Sequence, residues 1–257
     1  MNGLLIAAKI EWLKIKKARI FMISVAAVCL LPCVCALFLA ILQNPNSAAG
    51  GILAQKAQIA GAADWISYFG LLNEMMSVGG ILIFGFIAAW AFGREYSDRT
   101  AKDLFAMPVT RYIIVLAKYI ALTVWSLLLT IIALVVAVAL GLLINPPEFS
   151  FAALLRGSGI FIISALLTLP LITPVSFFAS FGKGYLSPLG FIIFTILFAQ
   201  VAEIVGIGGY CPWNMSAVFA GVAKDSVTAA GYLLYVFLIL LGLAATLAWW
   251  RFADQKN

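Results

Sequence analysis

Residues 112–144 read YIIVLAKYIALTVWSLLLTIIALVVAVALGLLI, and this run decides the class of fold. It carries one charged side chain, Lys118, near its start. A helix needs about 20 mostly apolar residues to cross bilayer hydrocarbon, so this stretch is long enough to span with tilt or to project from one face. The remainder of the chain has the same character: 257 residues, 65% hydrophobic and 10% charged, with a mean hydropathy of +1.12. Soluble domains carry about 25% charged residues, and water could not solvate a fold this apolar. Lipid accepts such runs as helices, whose backbone hydrogen bonds close internally. The expected fold is therefore an all-α integral membrane protein, a single transmembrane domain over residues 1–257.

Outward from that run, apolar stretches predict six spans, at 20–42, 71–92, 112–144, 157–180, 186–205 and 227–250. Pro32 allows a kink in the first. Pro170 and Pro174 predict a break in the fourth, whose freed carbonyls then need partners from neighbouring helices. Residues 1–19 predict an interfacial (elbow) helix. Leu4, Leu5, Ala8, Trp12 and Ile15 share one face, and Trp suits the membrane boundary; the competing arrangement is a cytoplasmic extension of the first span. The first apolar run is too long for the core of a signal peptide, and no small-residue cleavage site follows it. Residues 206–225 are too apolar for an open loop and too broken by Gly208, Gly209 and Pro212 for a span. They predict a short re-entrant or interfacial element anchored by Trp213.

Charge sets the expected orientation. Lys9, Lys14, Lys16, Lys17, Arg19, Arg94, Arg99, Lys102, Arg111, Lys118, Lys183, Arg251 and Lys256 fall on the side of both termini, and only Lys56, Arg156 and Lys224 on the other, 13 against 3 of the 16 basic residues. Excess Lys and Arg marks the cytoplasmic side, so both termini are expected in the cytoplasm. The ten acidic residues divide evenly and do not decide it. The net charge of +6 is thus a topology signal rather than a sign of nucleic-acid binding.

The chain lacks the groups that most membrane enzymes need. It has no His, which removes most metalloenzyme and triad chemistry. There is no P-loop: Phe181-Gly182-Lys183-Gly184 lacks both the leading Gly and the trailing hydroxyl. Cys29 and Cys33 stand at i, i+4 in the first span, with Cys35 beside them, a spacing that could offer sulfur to copper. In an apolar helix such thiols read as small buried side chains, and Cys211 has no evident disulfide partner. No catalytic residue, no metal and no cofactor of its own are expected, so any ATP-driven work needs a second polypeptide.

The most informative polar segment lies between the second and third spans: FGREYSDRTAKDLFAMPVTR, residues 92–111. Ser97 or Asp98 can cap a short helix, Leu104, Phe105 and Met107 give it an apolar end, Pro108 stops it, and Thr110 can cap the third span. A short charged helix with a hydrophobic knob is a docking element. Arg94-Glu95-Tyr96, Thr100, Lys102-Asp103-Leu104 and Pro108-Val109-Thr110-Arg111 resemble the coupling-loop signature of ABC-2 type transporter permeases, closest in style to the bacitracin-resistance and lantibiotic-immunity branch. Arg99 stands where the commoner pattern has Gly. The elbow helix, six spans and outer segment agree with that resemblance along the whole chain.

The resemblance implies a half-transporter in the bacterial plasma membrane, paired with a second copy or a related permease chain. A separate P-loop ABC ATPase, holding ATP and Mg, would dock on a coupling helix within residues 94–108, meeting Glu95, Asp98, Arg99, Lys102, Asp103 and Phe105. The family's second and fifth spans border the translocation path, which makes Asn73, Glu74 and Ser77, and Gln200 and Glu203, the candidates to line its exit. Ionisable residues at membrane depth are functional candidates in their own right; the alternative is that the two glutamates reach interfacial water. The implied activity is export of an amphipathic or peptide-like substrate, of the antimicrobial-peptide or antibiotic resistance type. An ion-coupled secondary transporter is the main competitor, but the internal repeat usual in that class is missing; a non-transporting membrane scaffold is another.

Overall fold

A computed structural model describes residues 2–43, 63–98, 110–223 and 226–252. These residues form helices and short 3-10 turns. The helices are α1 (Asn2–Lys17), α2 (Arg19–Gln43), α3 (Trp65–Ser97), α4 (Arg111–Ile144), α5 (Phe151–Thr168), α6 (Ile172–Phe181), α7 (Leu186–Val205), α8 (Met215–Phe219) and α9 (Ala229–Phe252). With α5 and α6 taken as one interrupted segment, six helices among the described residues are long and apolar enough to cross a membrane.

The core is built around α3. In its most apolar stretch 67% of residues are buried, and 61% in α5–α6, against 22% in α9. The outer helices turn large apolar side chains outward instead: Leu143, Leu186 and Ile204 are each at least 80% exposed. Patches of that kind are unstable against water and natural against lipid.

Four of the expected spans begin and end within about two residues of the observed helices, which is the usual precision for boundaries. The second span differs. It was expected at 71–92 and runs from Trp65 to Ser97, because Asp64 caps it early, accepting from the Ser67 backbone N–H at 2.7 Å. At its far end Asp98 is the C-cap, with its N–H on the Arg94 carbonyl at 2.8 Å. Ser97 and Asp98 therefore finish the second span. Thr110 does stand at the N-cap of α4, though without a side-chain hydrogen bond. Residues 99–109, the centre of the expected coupling loop, lie outside the described residues.

The fourth span starts at Phe151 rather than 157 and is broken as expected. A 3-10 turn at Leu169–Leu171 separates α5 from α6. The last span meets the released carbonyls: Tyr235 donates to the Leu167 carbonyl at 2.7 Å. Thr173 donates to the carbonyls of Pro170 and Ile239, at 3.0 and 3.1 Å. The approach is close enough that a Cβ on Gly242 would collide with the Pro174 backbone. Pro32 sits inside α2 without interrupting it. α1 is a separate helix, set off from α2 by a bend at Ala18.

Candidate functional site

At the end of the bundle that carries both chain termini, three helices meet through a compact charge cluster. Glu11 comes from α1, Glu95 from the last turns of α3, and Lys118 from the third turn of α4. Lys118 Nζ donates to Glu95 Oε1 at 2.8 Å, Glu11 Oε2 at 3.0 Å and the Ala91 carbonyl at 2.9 Å. Lys14 Nζ donates to Glu11 Oε1 at 2.7 Å and Glu95 Oε1 at 2.9 Å. Each ammonium bridges both carboxylates, so the cluster is neutral. Lys118 is 1% exposed and Glu95 4%. Burial alone would pull the Lys14 ammonium toward neutrality, but the Glu11 and Glu95 carboxylates outweigh it and hold its pKa above the ordinary 10.5.

This cluster sits at the root of residues 99–109. Its two contributions from the bundle, Glu95 and Lys118, flank that segment in sequence. Arg111, at the first position of α4, donates to the carbonyls of Trp250 and Arg251 in the last turn of α9. Cations suit that end of a helix. Arg94 closes an i, i+4 pair on Asp98 at 2.9 Å. Both legs of the loop are therefore tied to the bundle before it begins. Glu95, expected to meet a partner ATPase, points inward to the two lysines. Asp98 is exposed at the end of α3. Arg99, Lys102, Asp103 and Phe105 lie outside the described residues.

α1 is seated by aromatic packing as well as charge. Trp12 meets Trp125 of α4 edge-on with ring centres 5.8 Å apart, and Phe21 stacks on the same indole at 4.6 Å. Neither the cluster nor this seat was foreseen. Lys118 offered the signal, as the lone charge within residues 112–144: a buried cation in a span demands partners.

At the opposite end, four of the five residues expected to line a path come together. Glu74 and Ser77 of α3, and Gln200 and Glu203 of α7, line one cavity of about 540 Å³. Asn73 lines a different cavity on the far side of α3. The segment after α7 closes the first cavity with Trp213 and Asn214. Among the described residues neither glutamate has an ion-pair partner, and no Lys or Arg lines the cavity.

That closing segment is a series of short turns, Gly208–Tyr210 and Pro212–Asn214, followed by α8. It is neither span nor open loop, as expected, and polar pins fix it. Asn214 donates to the Ala199 carbonyl of α7 at 3.0 Å. Ser216 bonds Ser77 of α3 at 3.1 Å and donates to the Ser164 carbonyl of α5 at 3.1 Å. Trp213 packs edge-on against Phe191 and Phe198 of α7, with ring centres 6.1 and 6.2 Å away. It is held by the bundle as much as by any boundary.

A helical bundle with lipid-type surfaces, a braced polar loop at one end and an acidic cavity at the other has the build of a transporter's membrane subunit. Comparison with known proteins narrows this: the family model described as ABC-2 family transporter protein matches residues 7–199. The chain is also 30% identical over 180 residues to the bacitracin transport permease protein BCRB of Bacillus licheniformis, covering 68% of this chain and 85% of that protein. The chain belongs to the ABC-2 transporter family and is a multi-pass permease component of an ABC transporter. Membership implies an ABC ATPase as its partner.

Proposed function

We propose that this chain is the membrane half of an ATP-driven exporter in a bacterial plasma membrane, with both termini in the cytoplasm. It moves an amphipathic, peptide-like substrate outward, and a second permease copy or a related chain completes the path. A separate ATPase, binding ATP and Mg, docks on the segment after α3, meeting Asp98, Arg99, Lys102, Asp103 and Phe105. The supporting observation is the neutral Glu11–Lys14–Glu95–Lys118 cluster. A loop pushed by a partner transmits force only if its roots are stiff. Here both roots are tied, and α1 is tied to them, so α1 serves as the elbow helix that follows the loop. Glu95 belongs to this brace rather than to the docking rim.

The cavity beneath Trp213 supports the substrate reading. Two carboxylates facing one volume, with no basic neighbour among the described residues, attract a cation at the mouth of a path. The relative's printed role in bacitracin transport favours a peptide antibiotic as cargo. Purification from native membranes in mild detergent tests the assignment. An ATPase should be recovered in near equal amount, and changing Asp103 and Phe105 together should leave insertion intact while uncoupling ATP hydrolysis from transport. Normal transport by that double variant would overturn it.

A further inference from the structure

A third cavity, of about 410 Å³, opens between the last turns of α1 and residues 90–94 of α3. Three cations line it, Lys14 and Lys17 of α1 and Arg94 of α3, and among the described residues no acidic side chain does. Two of these cations are held in place. Lys14 Nζ donates to Glu11 and Glu95, which leaves one N–H over. Arg94 lies above the Trp90 ring, 5.2 Å from its centre, and gives Nε to Asp98. Its two Nη groups meet no acceptor among the described residues, and Lys17 forms no ion pair there. The other wall is apolar, made by Ile10, Leu13 and Trp90. Ile6, Ile10, Leu13 and Lys17 stand at i, i+4, i+7 and i+11, so they form one stripe along α1. Its three apolar members are 60%, 49% and 42% exposed, and the stripe ends in the cationic cavity. Both neighbouring spans pass from charged to apolar sequence at this level, α2 at Arg19 and Ile20, α3 at Arg94 and Gly93. Trp90 is the type of side chain favoured at a membrane boundary. Donors without acceptors, set at the end of an exposed apolar stripe, match an anion joined to a hydrocarbon chain.

We propose that this cavity binds an anionic phospholipid, one whose headgroup carries a phosphodiester and no ammonium, as in phosphatidylglycerol. The phosphate accepts from Lys17, from Arg94 Nη and from the remaining Lys14 N–H, and an acyl chain lies along Leu13, Ile10 and Ile6. Basic pockets between spans are general sites for such headgroups. A zwitterionic lipid brings an ammonium to a site that already holds three cations, and binds more weakly. The bound lipid joins α1 to the last turns of α3, beside the root of residues 99–109. It seats α1 from the lipid side as the charge cluster does from within. The site needs a membrane around the six helices, and neither a direction nor a cargo of transport.

Lys16 supplies the control. It is exposed on α1 and does not line the cavity, so Lys16→Gln removes the same charge as Lys17→Gln from outside the site. The full chain is titrated with each lipid and read by native mass spectrometry, with the melting temperature in phosphatidylcholine nanodiscs as the check on folding. Wild type should take one phosphatidylglycerol at a saturable site, about tenfold tighter than phosphatidylethanolamine, the worth of one charge-assisted hydrogen bond. Lys17→Gln should weaken that site by about tenfold with an unchanged melting temperature, and Arg94→Gln, on the other helix, by a similar factor. Lys16→Gln should leave it intact. Glycerophosphoglycerol, the same headgroup without chains, should compete about a hundredfold more weakly, having lost the burial of several methylene groups. Equal binding of the two lipids, or an intact site in either Lys17→Gln or Arg94→Gln, overturns the proposal. A loss in Lys16→Gln as large as in Lys17→Gln also overturns it, since diffuse surface charge would then be the cause. Competition by glycerophosphoglycerol at equal concentration overturns it in favour of a site for free phosphate.

Discussion

Replacing Lys118 with Met tests the brace directly. All three donors of the ammonium are used in the folded protein, on Glu95, Glu11 and the Ala91 carbonyl. Met keeps the length and apolar stem and removes the charge, leaving two buried carboxylates against Lys14 alone. Breaking a buried ion pair by removing one partner costs about 3–5 kcal/mol. Lys14 still bridges both carboxylates, so the lower end, about 3 kcal/mol, is expected. By the size scaling of folded domains that is a loss of about 6–12 °C in melting temperature. Glu95→Gln removes one negative charge and is destabilising alone. Combined with Lys118→Met it restores neutrality, with the Lys14–Glu11 pair left intact. The four proteins form a double-mutant cycle, measured by thermal unfolding in detergent. The double variant should be more stable than the sum of the singles by about 1–3 kcal/mol. Strict additivity, or a Lys118→Met variant as stable as wild type, would refute the reasoning.

Three further outcomes follow from the geometry. Changing Glu74 and Glu203 together to Gln should cut export of a cationic substrate into inverted vesicles by about tenfold, the worth of one charge-assisted contact, and full-rate transport would remove the cavity from the path. Gly242→Val should lower the melting temperature through an overpacking cost of about 1–3 kcal/mol, because its Cβ meets the Pro174 backbone; an unchanged value would mean that α9 does not brace the break. The third outcome concerns pH. Lys14 is held above its ordinary 10.5 in the folded state, so its contribution is complete below that value and is lost as pH rises through the higher folded one. The melting-temperature gap between wild type and Lys14→Met should therefore stay constant across neutral pH and close only in strong alkali, and a gap that closes near pH 8 would contradict the ion pairing.

The six spans were legible because burial in lipid needs only composition and length, and both are local properties of a sequence. The ends of α3 were not. Hydropathy is weak over residues 65–70, WISYFG, and falls away again at Arg94, although the helix runs from Trp65 to Ser97. Capping by a side chain, not hydropathy, sets the first end. The broken fourth span was legible because proline removes a donor wherever it stands, and the identity of the donors that repair it, Tyr235 and Thr173, was not. The outer cavity was partly legible, since Glu74 and Glu203 are conspicuous as charges at membrane depth. Asn214 and Ser216 give no such sign, and only the packing of the segment between α7 and α9 brings them to α7 and α3. The charge cluster was the largest omission. Its members stand at 11, 14, 95 and 118, so no spacing rule links them, and the basic residues carried a competing meaning as markers of orientation.

The two sites lie at opposite ends of one uninterrupted helix. α3 has no internal proline and 33 residues, about 50 Å of length at 1.5 Å per residue. Glu74, at the outer cavity, and Glu95, in the cluster, are 21 residues apart, about 32 Å along the same axis. A displacement at the root of residues 99–109 would therefore reach the cavity by moving a rod rather than by passing through a chain of side chains. The other wall responds differently. α5–α6 is interrupted at Leu169–Leu171, and its broken turn is tied to α9 by a bond from Tyr235 and by one that Thr173 donates to the Ile239 carbonyl. α9 is tied through Arg111 to the far root of the same loop. One root of that segment thus leads into an unbroken helix that carries cavity residues, and the other leads through α9 to the break in the helix packed beside it. Ser216 joins the two at the top by bonding both Ser77 of α3 and the Ser164 carbonyl of α5. Relative motion between the rod and the broken helix must strain or release that pin, and the pin belongs to the segment that closes the cavity.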